Sequence, residues 1–424
     1  MRVQLFWAFL WKGIGITAAF LSSVLIARIL GAEQAGWVAL GQTTASVVST
    51  LALLGIDSAA MRELSGLVAR GAGSRAQELV ATAFGGACLT AAAIIALSLI
   101  ATLLAQDVGG LSSQAYTFVL IGIVAAVGLA GSRLTGELLR ATGSVGAAVW
   151  FQTACGPLIL LSGVLVWHAL LSDYLAVWMV VVGEGASATW AIAWWRKTWS
   201  RPAGRLQLRT LATLLRAGSS MFLIGFGTVL IGWIEMMALS HWSDSRSIAL
   251  FSAAQRVASL VALPLLIINL VAAPRYAALY ATRSLAELRI LVGKVIMLSG
   301  LLGLPLLLVV LFFGSGVLDL FGPQFGAANL SLRVILVGQL INLATGPVIY
   351  LLMMGGKERA GLACVAAGLV VDVICLSLLV PHYGLIGAAI SNATAVSVVN
   401  LSAAVLAYGQ LFRRQTADSE DKSA

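Results

Sequence analysis

Twelve stretches of about twenty mainly apolar residues follow one another along this chain, at 10–30, 37–57, 80–104, 115–134, 146–167, 175–195, 217–240, 248–271, 294–313, 330–353, 361–380 and 385–407. A stretch of that length crosses the hydrocarbon core as a helix, where every backbone N–H and C=O is satisfied within the segment. The pattern predicts an all-α polytopic membrane protein with twelve transmembrane helices. Composition agrees. Only 10% of the 424 residues are Asp, Glu, Lys or Arg, and 60% are apolar, whereas a soluble domain carries about 25% charged residues. A soluble fold of this size has too much surface to hide so much apolar side chain. A disordered protein, a nucleic-acid-binding domain and an ordinary soluble enzyme are thereby excluded. The first stretch is not read as a signal peptide, because no small-x-small site follows it and further spans do.

Cys88, Cys155, Cys364 and Cys375 all lie in apolar runs with no CxxC spacing. They read as small buried hydrophobes, with neither a zinc site nor a disulfide framework.

Charge sets the expected orientation. Of the 26 Lys and Arg residues, all but four belong to the even-numbered gaps or the two ends; Arg246 lies in an odd gap, and Arg28, Arg256 and Arg333 lie in or at the edge of spans. The positive-inside rule then puts both termini in the cytoplasm, and accounts for the net charge of +9. Trp7, Trp11, Trp37, Trp167, Trp199 and Trp242 fall near span ends, as interfacial aromatic belts do. The longest basic gap, 196–216, comes almost midway and could form an amphipathic helix on the membrane surface. It divides the chain into a six-helix bundle at 1–195, the linker 196–216, a second six-helix bundle at 217–407 and a cytoplasmic tail at 408–424, a duplicated plan common among transporters.

The outward gaps, 31–36, 105–114, 168–174, 241–247, 314–329 and 381–384, are short. They offer little to a membrane-embedded polymerase, ligase or glycosyltransferase, and no catalytic residue is assigned. His168, His241 and His382 lie in or beside them. They could hold a metal or proton site, but without an HExxH motif or paired carboxylates they read as interfacial side chains.

Ionisable groups inside spans are costly and tend to face a cavity or a partner. The deep ones are Glu184, Arg256 and Asp372; Glu235 is nearer an outer end, and Arg28, Asp57 and Arg333 are close to interfaces. Gln42, Ser46, Ser49 and Asp57 of span two fall on one helical face. Span eight carries Ser252, Gln255, Arg256 and Ser259, with Asn269 further along; span seven carries Ser220, Thr228 and Glu235; span ten carries Gln339, Asn342 and Thr345. Such faces line cavities or join helices. For Ser and Thr the second role is the commoner expectation; for Arg256 and Glu235 a functional role is, with a mutual ion pair as the alternative.

Three motifs carry a family resemblance. Ala27-Arg28-Ile29-Leu30-Gly31-Ala32-Glu33-Gln34-Ala35-Gly36 resembles the ARxLGxxxxG junction of the oligosaccharide-lipid flippases (Wzx-type) of the multidrug/oligosaccharidyl-lipid/polysaccharide exporter superfamily, with Ala32 where proline is frequent. Leu263-Pro264 with Ala273-Pro274, and Leu320-Phe321-Gly322-Pro323-Gln324-Phe325, are similar to that family's eighth helix and the loop before its tenth. The resemblance implies two six-helix bundles around a central cavity. It also implies alternating-access export of a polyprenyl-diphosphate-linked glycan through the bacterial cytoplasmic membrane, for O-antigen, capsule or exopolysaccharide assembly. Partners would be the glycan lipid, the bilayer and the polysaccharide polymerase and chain-length machinery, with no nucleic acid. Arg256, Arg28, Gln255, Ser259, Asn269, Gln42, Gln339 and Asn342 would line the cavity, since Arg suits phosphate and amides and hydroxyls suit sugars. Related exporters couple through an acidic residue of the seventh helix, which Glu235 matches by segment; Asp372 and Glu184 are further candidates for H+ or Na+ coupling, and no other cofactor or metal is expected. A drug–cation antiporter of the same superfamily is the alternative; its site would be acidic and aromatic.

Overall fold

The computed structural model describes residues 2–107, 112–199 and 206–420. It is helical almost throughout, and no strand occurs among the described residues. The helices are α1 (Arg2–Leu53), α2 (Ile56–Ala69), α3 (Gly73–Asp107), α4 (Ser113–Ala141), α5 (Val145–Val149), α6 (Cys155–Val166), α7 (Asp173–Trp199), α8 (Leu208–Trp242), α9 (Ser245–Ala281), α10 (Leu285–Asp319), α11 (Asn329–Thr345), α12 (Val348–Met354) and α13 (Glu358–Glu420). A π-helical turn, Trp150–Ala154, joins α5 to α6, and a 3-10 turn, Pro323–Ala328, leads into α11.

Among the described residues, ten helical stretches are long and apolar enough to cross a membrane. The two longest are not straight. Gly31 breaks α1 with φ 82° and ψ 172°, and Gly384 breaks α13 with φ 51° and ψ −123°. Divided at these glycines, the ten become the twelve segments that hydropathy predicts, in the same order. In α13 the limbs fold back on each other. Ser391 Oγ donates to Asp372 Oδ1 at 2.7 Å across 19 residues, which a straight helix would hold about 28 Å apart. The gaps expected at 31–36 and 381–384 are therefore sharp bends within helices, not loops.

The backbone at Gly31 lies in a region that residues with a Cβ essentially do not enter. Gly31→Ala should cost about 1–3 kcal/mol, seen as a lower thermal unfolding midpoint in detergent; an unchanged midpoint would mean the bend relaxes without strain. Gly36 has a different reason to lack a side chain, since a Cβ there would lie 1.9 Å from the carbonyl oxygen of Ser245.

Other expectations are corrected. Span two ends early: Leu54 (φ 46°) and Gly55 (φ 81°) turn the chain after Leu53, and Asp57 lies in the first turn of α2 instead of extending the Gln42–Ser49 face. Span ten is interrupted, because Gly346 (φ 69°) and Pro347 separate α11 from α12. Trp37 is not a belt residue. It is buried and its ring stacks on Phe118 at 6.2 Å, which stacks in turn on Tyr174 at 5.3 Å. Cys88 is exposed, while Cys155 and Cys364 are buried. Of the basic linker, 196–199 complete α7 and 208–216 open α8; 200–205 lie outside the described residues, as do 108–111 and the tail end 421–424.

By packing, the described chain forms two compact units, Met1–Ala249 and Leu250–Ala424. In the first, Leu64, Leu138, Leu139, Ala148, Trp195 and Leu214 share one core. In the second, Leu265, Tyr276, Leu288, Leu351 and Ala403 share another.

Candidate functional site

The first unit holds a partly buried polar cluster built on α4. Arg133, Glu137 and Arg140 recur at helical spacing, so they project from one face. Arg133 reaches α1, donating from Nη1 to Thr50 Oγ1 at 2.7 Å and to Ser49 Oγ at 3.3 Å. Arg140 pairs with Glu137 at 2.8 Å and donates from Nη2 to Gln152 Oε1 at 2.8 Å. Gln152 Nε2 closes the ring, donating to Glu137 Oε1 at 3.1 Å and to the Arg133 carbonyl at 3.0 Å.

Local backbone irregularity makes this possible. Gln152 stands in the π-helical turn, a feature frequent at functional sites. Pro157 follows it, with no N–H for the carbonyl of Thr153 four residues back. That carbonyl instead faces Gly15 of α1, where a Cβ would lie 2.0 Å from it. Two glycines leave sockets for polar side chains. A Cβ on Gly136 would come within 2.3 Å of Gln152, and one on Gly156 within 2.6 Å of Glu184 Oε1.

Further charges surround the ring. Asp57 lies within electrostatic reach of Glu137, Lys12 within reach of Arg140, and Glu184 within reach of Arg133. The cluster so combines three cations and three carboxylates. It is not electrostatically closed in hydrogen-bond terms. The guanidinium has five donors, and among the described residues Arg133 gives only its Nη1 hydrogens to side chains, both to hydroxyls. A fork-shaped donor set beside two hydroxyls and an amide suits a phosphate or a sugar.

Sequence reading missed most of this site. It counted Arg133, Arg140 and Lys12 with the basic gaps, yet Lys12 and Arg133 lie well inside α1 and α4. The available signal was the spacing of Arg133, Glu137 and Arg140 on one helical face. Glu184 was singled out from sequence and joins the cluster.

The other expected site residues are distributed as follows. In the first unit, Arg28 is exposed, three residues before the α1 bend, and Gln42 is half-buried on the second limb. Glu235 is fully buried in α8. Beside it, Trp233 Nε1 donates to Thr44 Oγ1 at 3.0 Å and Thr43 Oγ1 contacts Met236 Sδ at 2.9 Å, which ties α8 to the second limb of α1. In the second unit, Gln255 and Arg256 are half-buried on α9. Arg256 Nε donates to Ser252 Oγ at 3.5 Å, and exposed Ser259 gives its hydroxyl proton to the Arg256 carbonyl at 2.7 Å. Asn269 is buried in the core, and its Oδ1 has no partner among the described residues. Asn342 Nδ2 donates to Gln339 Oε1 at 3.4 Å within α11. Asp372 is fully buried; its Oδ2 has no partner among the described residues.

Comparison with known proteins now bears on these features. Residues 4–280 match the family model described as polysaccharide biosynthesis protein. The chain belongs to this polysaccharide biosynthesis family. The matched span includes every residue of the polar cluster. Comparison with curated proteins found no match. Among solved structures, an inward-facing multidrug resistance MATE family transporter of the MOP superfamily superposes with a TM-score of 0.81 at 15% identity, over 96% of this chain and 99% of that one. The lipid II flippase MurJ, in an inward closed conformation, superposes with a TM-score of 0.76 at 11% identity, over 95% and 87%. A MOP superfamily transporter from Pyrococcus furiosus, described as having a binding pocket of reverse polarity, gives 0.61 at 16% identity, over 96% and 94%. This member of the polysaccharide biosynthesis family is therefore a multi-pass membrane protein with the MOP superfamily transporter fold.

Proposed function

We propose that the protein translocates a polyprenyl-diphosphate-linked oligosaccharide across the cytoplasmic membrane by alternating access, for O-antigen, capsule or exopolysaccharide assembly. The observation that carries this reading is the Arg133 cluster. It places an arginine with uncommitted donors beside hydroxyls and an amide, in a chain of the polysaccharide biosynthesis family. A diphosphate cannot enter hydrocarbon unaided, and Arg pairs with its oxygens in bidentate fashion. The polysaccharide polymerase and chain-length machinery would receive the product, and both termini would face the cytoplasm.

Arg256 is assigned to the same task in the second unit. Arg256→Ala should abolish export while the protein inserts normally, with Lys restoring it only in part; normal export at normal expression would leave Arg256 without a role in transport. Glu235 is assigned to H+ or Na+ coupling because a fully buried carboxylate is costly unless its charge is used or paired. Glu235→Gln should flatten the pH or sodium dependence of transport. An unchanged dependence would make Glu235 a structural group and shift coupling to Asp372 or Glu184.

The second reading is a drug–cation antiporter, favoured by the fold shared with a multidrug transporter. Purified protein in liposomes separates the two. Translocation of a fluorescent polyprenyl-diphosphate glycan without efflux of cationic dyes is expected; dye efflux without glycan translocation would overturn the proposal.

A further inference from the structure

In the second unit, the hairpin of α9 and α10 carries a cavity of about 410 Å³ that none of the residues assigned to transport lines. Three charged side chains face into it: Arg275 of α9, and Glu287 and Lys294 of α10. The rest of its wall is apolar and includes Leu279 and Leu291. Among the described residues, these three charges form no ion pair with one another or with any other group.

The charges are ordered by depth. The turn at 282–284 that joins the helices lies in one of the basic gaps, on the side that the positive-inside rule makes cytoplasmic. Glu287 stands in the first turn of α10, next to it. Lys294 follows seven residues later on the same helical face, about 10 Å further into the membrane. Arg275 lies six residues before the end of α9, about 9 Å from the turn and so near the level of Lys294. Long stems let both cations rise toward the interface and share the cavity with the carboxylate. Deeper still, the same side of α10 continues with exposed Met297, Leu298 and Leu301. From the water inward, the surface therefore reads carboxylate, two cations, hydrocarbon.

A carboxylate in a first helical turn is at home there whatever faces it, because of the helix dipole. Basic residues at this level are likewise ordinary. Neither rule accounts for both signs lining one cavity unpaired, with the acid outermost. A phospholipid with an aminoethyl head presents the complement in the same order: ammonium outermost, phosphate beneath it, acyl chains below. A primary ammonium donates up to three hydrogen bonds and a carboxylate only accepts them. Guanidinium and lysine ammonium groups are phosphate donors. A choline head has no N–H to give Glu287, and a glycerol head brings it no positive charge.

We propose that this cavity binds the headgroup of phosphatidylethanolamine, with Arg275 and Lys294 on its phosphate and Glu287 on its ammonium. The site is independent of what the protein carries across the membrane.

The probe is a phosphatidylethanolamine with a diazirine at the head-proximal end of one acyl chain, added to the full chain in detergent micelles. Labelling is read at residues 290–301. It is competed by unlabelled phosphatidylethanolamine, phosphatidylcholine and phosphatidylglycerol with identical acyl chains. On the wild type, phosphatidylethanolamine should compete about fivefold better than either of the others, the upper end for an exposed ion pair. Glu287→Gln should keep the labelling and lose that preference, which a purely structural carboxylate would not do. Arg275→Ala combined with Lys294→Ala should reduce the labelling about tenfold. Retained labelling in Glu287→Gln separates loss of selectivity from loss of fold. No labelling of 290–301 in the wild type, equal competition by the three lipids, strongest competition by phosphatidylglycerol, or a preference that survives Glu287→Gln would each overturn the proposal.

Discussion

Arg133→Ala is expected to lower glycan-lipid translocation by about a hundredfold or more. Truncating one partner of a buried charged contact costs about 2–5 kcal/mol, which corresponds to roughly 30- to several-thousand-fold. Arg133 also ties α4 to α1 through Thr50 and Ser49, so part of any loss could be structural. The paired substitution Ser49→Ala with Thr50→Val separates the two roles. It removes the same helix-to-helix bonds and keeps the guanidinium, so it should lose clearly less transport than Arg133→Ala, although both hydroxyls belong to the proposed site. Arg133→Lys keeps the charge but not the fork geometry, so it should recover only part. Transport at the wild-type rate in Arg133→Ala would eliminate this cluster as the phosphate site. Equal losses in the hydroxyl pair and in Arg133→Ala would make the cluster a brace between helices.

The second large effect concerns the membrane potential. A diphosphate head carries about two negative charges, and outward movement takes them from a negative interior to a positive exterior. Each charge is worth about 2.3 kcal/mol per 100 mV, so two contribute roughly 4–5 kcal/mol if they cross the whole field. That is a bias of more than about a thousandfold in distribution. Cationic side chains that travel with the head would reduce the displaced charge. Liposomes with an imposed potential and no ion gradient should accumulate the glycan lipid on the positive side, and reversing the potential should reverse the accumulation. A rate and end-point indifferent to its sign would mean that charge movement is compensated, and that ion exchange or consumption of the glycan drives export.

Much of this molecule is legible in the order of its residues, and the reason is the solvent. Within hydrocarbon only a closed backbone survives, so an apolar run of the right length is a helix whatever its neighbours are. The twelve segments, the helical class and the segment order followed from that rule alone. The glycine of the ARILG junction was visible as a motif, but its meaning was not. A one-dimensional pattern shows a polar gap and cannot distinguish a loop from a bend at one residue with φ 82°. The same holds at Gly384, where hydropathy sees two spans and a gap and the chain makes one folded helix.

The polar cluster lay further beyond reach. Arg133 and Lys12 were counted as basic residues of the flanks, because positive charge near a span end usually marks the side of the membrane. Their role depends on Ser49, Thr50 and Gln152, which are 84, 83 and 19 residues away from Arg133 along the chain. Hydropathy is a sum over neighbours in sequence, whereas a hydrogen bond depends on neighbours in space. The extra residue of the π-helical turn, the missing N–H of Pro157 and the empty places at Gly136 and Gly156 decide where Gln152 and Glu184 point. Sequence alone determined that the chain crosses a membrane many times, because a rule of solvation applies to each segment separately. Only tertiary packing decided which charges meet, because that rests on angstrom-scale fits between segments that no single segment encodes.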